Sequence, residues 1–183
     1  TQSRSSAASD VYKRQIIVSS QVISFIHVAL YAVFSLIIIA GATIDMHYYI
    51  LPDEGALVLV IGGILYSILN DKSMLITILS VMTVGTITYG LRLISHKGFG
   101  LGDVKWFSAI SMWLTPWEII CFFYVAFCVG SLYLLLTSYR NRYIPFGPFL
   151  CFGGWCALHG GSYMEVLYQW LRHNLYIISL ALC

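Results

Sequence analysis

Two stretches decide what this chain can become. Ile16–Ile44 and Ile119–Tyr139 contain no Asp, Glu, Lys or Arg, and each is as long as a bilayer crossing or longer. About 20 consecutive apolar residues form a helix that spans the roughly 30 Å of hydrocarbon in a membrane. The rest of the sequence agrees: 59% of it is apolar and 10% charged, where a soluble domain carries about 25% charged residues. Ten Lys/Arg and eight Asp/Glu are too few to coat a water-facing surface. Such apolar content excludes a disordered chain, and a net charge of +2 leaves no electrostatic footprint for nucleic acid. Five cysteines, an odd count with no CxxC pair, argue against a secreted disulfide scaffold. What remains is an all-α polytopic membrane protein whose partner is the lipid bilayer, with length for about six or seven transmembrane helices.

Residues 1–15 do not belong to that description. Thr1–Gln15 is polar, Ser-rich and holds three of the ten basic residues. It is read as a non-native or disordered head, and residues 16–183 as the membrane-embedded domain. Within that domain, polar breaks separate the apolar stretches. Ile16–Ile44 ends at Asp45–Gly55, and Ala56–Leu69 ends at Asn70-Asp71-Lys72. Met74–Ile94 follows, then a glycine-rich run before Asp103–Leu114, too short to cross without that run. Beyond Thr115–Glu118 come Ile119–Tyr139, Phe149–Leu158 and Tyr163–Cys183. Alternating sides place Arg92, Lys97, Lys105, Arg140 and Arg142 on one face, which the positive-inside rule makes cytoplasmic. Lys13 and Arg14 would then stand on the wrong side, a second reason to set the head apart.

An acid near hydrocarbon costs about 2.5–3.5 kcal/mol on insertion scales, so acids carry the information here. Asp71 and Glu118, in breaks on the outer side, and Glu165, near the C-terminal segment, read as solvated loop charges. Asp45, Asp53, Glu54 and Asp103 fall on the cytoplasmic side. Asp45 directly follows an unbroken apolar run, which puts its carboxylate at a helix end. Asp103 opens a helix after Gly98, Gly100 and Gly102, glycines that permit unusual backbone angles and close approach of another backbone, such as an extended peptide substrate. Two carboxylates at the same depth on different helices can meet. Like charges at close range share a proton near neutral pH. One member then activates a water while the other protonates the leaving group.

These residues carry a resemblance. Ile44-Asp45-x-His47-x-x-x-Leu51-Pro52-Asp53, Gly100-x-Gly102-Asp103-x-Lys105 and IPFGPFL (Ile144–Leu150) resemble, in order and spacing, the three signatures of bacterial type IV prepilin peptidases. These are intramembrane aspartic proteases of the GxGD class. The resemblance covers roughly Phe25–Trp170. It implies the GxGD protease fold, with Asp45 and Asp103 as the catalytic pair. It also implies removal of the short basic leader from prepilins or pseudopilins, after a Gly, at the cytoplasmic face of the bacterial inner membrane. That chemistry needs no metal and no cofactor. Full-length members carry a further N-terminal part with a cysteine-rich methyltransferase domain. None of Cys121, Cys128, Cys151, Cys156 and Cys183 has paired spacing, so the chain is read as an N-terminal truncation lacking methyl transfer.

Secondary residues have two readings each. Asp53 follows Pro52 at a helix start, where capping competes with positioning of substrate. Glu54 reads as more of the same. His47 is a solvated residue or a neighbour that tunes Asp45. Lys105 snorkels to the headgroups or, as the resemblance implies, contacts substrate or the catalytic loop. Pro145, Gly147 and Pro148 break the backbone at the membrane surface, either as a kink or as a wall of the active site. Two other functions stay open from the residues alone: a proton- or ion-coupled transporter using its carboxylates, and a catalytically inactive truncated fragment.

Overall fold

In a computed structural model of the chain, residues 2–95, 99–137, 145–160 and 170 are described, with side chains from Val22 onward. The described residues are helical apart from short connections. The helices are α1 (Gln2–Tyr48), α2 (Asp53–Leu69), α3 (Met74–Ile94), α4 (Leu101–Ser111), α5 (Pro116–Thr137) and α6 (147–160). Of these, α1 (from Val22), α3 and α5 are long and apolar enough to cross a membrane. With 17 residues α2 falls short of that length, as does α4 with 11. Among the described residues the architecture is thus all-α, with three helices of clear spanning length; about six or seven were expected of the whole chain. The expected segment Tyr163–Cys183 lies outside the described residues except for position 170, as do Lys97, Arg140 and Arg142.

Local chemistry sets several helix ends. Instead of stopping before Asp45, α1 takes it into its last turn and ends where Tyr49 adopts φ 58, the left-handed region. The Tyr49 N–H returns to the Asp45 carbonyl at 2.9 Å, a left-handed C-terminal cap. Pro116 opens α5, a position where its missing N–H costs nothing. Just ahead of it, Glu118 Oε2 accepts the Thr115 N–H at 2.7 Å and Thr115 Oγ1 accepts the Glu118 N–H at 3.5 Å. That is a capping box, so Glu118 is tied to the backbone and is not the free solvated acid expected. α3 begins and ends where the polar breaks place it, at Met74 and Ile94.

The helices alternate in direction, and cross-contacts show it. At one end, Trp106 Nε1–H donates to the Pro52 carbonyl at 3.1 Å, and Arg92 donates to the Phe99 carbonyl at 2.8 Å. At the other, Lys72 Nζ donates to the Trp113 carbonyl at 2.8 Å and lies over the Tyr66 ring. So α4 and the turn after it run the full height of α2, from the α1–α2 loop to the α2–α3 turn. Trp113 fixes that pairing. Its indole N–H reaches the Leu59 carbonyl at 2.8 Å, and a Cβ on Gly62 would sit 2.6 Å from its ring.

Between lipid and helix there is no hydrophobic force to drive association, so such interfaces depend on close packing and small residues. Phe34, Leu59, Val84, Phe107, Ile110, Trp113, Phe122 and Leu150 fill the interior. Gly153 of α6 lets that helix approach Ala126 and the Phe122 carbonyl of α5. Leu75, Leu79, Tyr124, Leu135 and Leu136 point outward, as lipid-facing residues should.

Candidate active site

The alternation brings the Tyr49–Pro52 loop, the start of α4 and the Pro145–Phe146 segment to the same end of the bundle. There they line a cleft of about 1420 Å³. Asp45 and Asp103 both face it, and so do Asp53, Gly100, Gly102 and Pro145. Gly147 and Lys105 are not on its wall, but each is bonded to a residue that is.

Asp45 is buried, with 5% of its surface exposed. Its Oδ2 accepts the Gly147 N–H at 2.8 Å, at the first residue of α6. Asp103 is the third residue of α4, and its Oδ2 accepts the Gly100 N–H at 3.1 Å. Asp103 therefore occupies one of its helix's free N-terminal donors, as a carboxylate at this position commonly does. Each acid has one oxygen held by a backbone N–H. Among the described residues, no protein group bonds Oδ1 of either. An acceptor oxygen pinned on one side and a free one on the other suits a carboxyl that must exchange a proton with a water.

The glycines serve approach rather than unusual angles. Gly100 is extended, with φ −68 and ψ 150, and among the described residues no glycine has positive φ. A Cβ on Gly102 would lie 3.2 Å from the Leu51 Cβ, and one on Gly100 would lie 3.0 Å from Asp103 Oδ2. The expected freedom of backbone angle is not used at either position. Gly98 lies outside the described residues. At Gly147 the restriction is sharper: an added Cβ would sit 2.6 Å from Asp45 Oδ2 and 2.8 Å from Cγ.

Asp53 opens α2, in the first turn where an acid suits the helix N-terminus, but makes no cap hydrogen bond. The N-cap position belongs to Pro52, with no side-chain cap bond, and both Asp53 oxygens take Lys105 Nζ at 2.7 Å. Lys105 therefore reaches across from α4 to α2 at the rim of the cleft. Its charge is held by protein rather than only snorkelling to headgroups. Glu54 lines the cleft beside this pair. His47 is exposed, and its ring neighbours Tyr48 at 6.5 Å. Pro145 and Phe146 form a non-helical entry to α6 and are part of the cleft wall. Phe146 is anchored by Phe127 at 5.4 Å and by Phe99 at 5.5 Å between ring centroids. Among the described residues, no group of three or more His, Cys, Asp or Glu is placed to hold a metal ion.

The opposite wall escapes sequence reasoning. Phe127, Gly130, Ser131 and Leu134 face the cleft from α5. Their i, i+3, i+4, i+7 spacing is that of one helix face. Because α5 is apolar all round, no stripe distinguishes that face beforehand.

Comparison with known proteins identifies a family. The model of the type IV leader peptidase family matches residues 31–135, which include both Asp45 and Asp103. The prepilin leader peptidase/N-methyltransferase of Aeromonas salmonicida (strain A449) is 27% identical over 137 residues, 69% of this chain and 47% of that protein. Its counterpart in Dichelobacter nodosus is 28% identical over 143 residues, 74% of this chain and 50% of that one. Leader peptidase HopD of Escherichia coli is 31% identical over 135 residues, 64% of this chain and 86% of that protein. The chain thus spans about half the length of the first two and most of the length of the third. No solved structure matches it.

Proposed function

The chain belongs to the type IV leader peptidase family, and from that premise we propose that residues 16–183 form an aspartic endopeptidase. It removes the short basic leader of prepilins or pseudopilins at the cytoplasmic face of the bacterial inner membrane. The observation that carries this reading is a cleft faced by both Asp45 of α1 and Asp103 of α4, with Gly100, Gly102 and Asp53 on its wall. Relatives named prepilin leader peptidase support the substrate class. Arg92 and Lys105 at the cleft end support the cytoplasmic orientation. In this reading the fold is that of a GxGD-class protease. The shorter helices α2, α4 and α6 count with α1, α3 and α5 toward about six or seven crossings.

The chemistry follows from the two carboxyls. One is ionised and takes a proton from a water through its free Oδ1, while that water's oxygen attacks the scissile carbonyl. The other is protonated and delivers its proton to the departing amide nitrogen. The Gly147 and Gly100 N–H groups hold the two Oδ2 atoms, so the free oxygens point at the reacting centre without reorganising. The α5 wall with Phe146 and Phe149 offers an apolar surface for the hydrophobic segment that follows a leader.

Purified protein in detergent, incubated with a prepilin that keeps its leader, tests this. Leader loss should survive chelator and disappear in Asp45→Asn and in Asp103→Asn. Cleavage at the normal rate by either variant would end the paired-carboxylate mechanism.

A further inference from the structure

Trp106 stands one turn from Asp103 on the same face of α4, since residues three apart are neighbours on a helix. Gly41 stands one turn from Asp45 on α1 by the same rule. These two meet: a Cβ on Gly41 would fall inside contact distance of Trp106 Cη2 and 2.6 Å from Cζ3. On the other side, a Cβ on Gly55 of α2 would lie 2.7 Å from Cζ2 of the same ring. The indole is fully buried, and its N–H donates to the Pro52 carbonyl at 3.1 Å, in the loop that follows Asp45. One rigid ring therefore fills notches on α1 and α2 and pins the connection between them. Trp106 and Gly41 each lie one turn from one of the two carboxylates.

We infer that Trp106, seated in the Gly41–Gly55 notch, is a positioning residue that sets the separation and facing of Asp45 and Asp103. It touches neither substrate nor the reacting atoms. Its size fixes how closely the Asp103 helix approaches the Asp45 helix, and its N–H is an added tie to the Pro52 carbonyl. The inference rests on the proposed peptidase reading for its kinetic consequence, but the geometric part stands by itself.

The test uses Trp106→Phe, Gly41→Ala and the double variant in the full chain. Phenylalanine lacks the outer ring carbons that an alanine at position 41 would strike, so the double variant restores the fit that each single change spoils. Displacing reacting groups by about 1 Å costs about a hundredfold in rate. Each single variant should therefore lose roughly tenfold to a hundredfold in kcat for leader removal, with KM unchanged, and the double variant should recover most of it. A second readout needs no activity: the yield of a short thiol cross-linker joining the two positions in Asp45→Cys/Asp103→Cys, with the five native cysteines replaced by alanine. Adding either single change should lower that yield, and adding both should restore it.

A cross-link indifferent to Trp106 and Gly41 would overturn the positioning role, whatever happens to cleavage. Losses in the two single variants that simply multiply in the double variant would overturn it as well. A chain that never cleaves a prepilin, yet whose cross-link responds as described, would refute the peptidase reading and leave the positioning role in place.

Discussion

The backbone N–H of Gly147 donates to Asp45 Oδ2 across 2.8 Å, joining positions 102 residues apart in the chain. A carboxyl oxygen and an N–H in a buried setting bond more strongly than they would in water. Here it ties the end of α1 to the start of α6 at the carboxylate itself. Gly147→Ala forces a methyl group within 2.6 Å of that oxygen, so the N–H or the carboxylate must move. Leader removal should fall about a hundredfold or more in kcat/KM, while the protein still extracts as a monodisperse species. An alanine variant with near-normal kcat/KM would show that the contact does not orient Asp45.

Tyr49 lines the same cleft with a left-handed backbone, φ 58. A side chain in that region costs roughly 1–2 kcal/mol, and glycine avoids the cost while losing part of the gain to its own chain entropy. Tyr49→Gly should therefore stabilise the fold by about 0.5–1 kcal/mol, seen as a higher midpoint in detergent unfolding. Lower stability would mean that the Tyr49 ring contributes more than its backbone costs.

The two acids and the proline-flanked glycine could be read from the sequence because each is out of place in an apolar chain. A carboxylate beside hydrocarbon or a Pro-x-Gly-Pro break has an energetic cost that composition alone exposes. Their meeting could also be anticipated, since alternating helices put every second connection at one end. Other parts were silent for physical reasons. The α5 wall shares its apolar character with the faces that meet lipid, so Phe127 and Leu134 carry no mark of the cleft. The seat of Trp106 is made from glycines on two other helices, and no single segment shows it. Asp53 looked like a helix cap because its neighbour is proline. Its real partner, Lys105, becomes visible only when α4 lies beside α2.

The Asp53–Lys105 pair has both side chains well exposed, 67% and 52% respectively. Water and salt screen such a pair, and exposed ion pairs contribute about 0.2–1 kcal/mol. A double-mutant cycle with Asp53→Asn and Lys105→Met should give a coupling in that range, shrinking as ionic strength rises. Both single variants should remain folded. A coupling well above that range, insensitive to salt, would mean that the pair is shielded from solvent within the membrane.

At the far end of the bundle, the Thr115–Glu118 capping box should govern stability without touching the chemistry. Loss of a helix cap costs about 1 kcal/mol, and Glu118 Oε2 holds the Thr115 N–H at 2.7 Å. Glu118→Ala leaves that donor without its partner at the start of α5. The variant should unfold at a lower denaturant midpoint, by about 1 kcal/mol, while kcat and KM for leader removal stay at the wild-type values. Because α5 also supplies a wall of the cleft, the result discriminates between two behaviours of that helix. If Glu118→Ala lowered kcat as well, fraying at the start of α5 would be reaching Phe127 and Leu134, and the cleft wall would depend on the whole length of the helix.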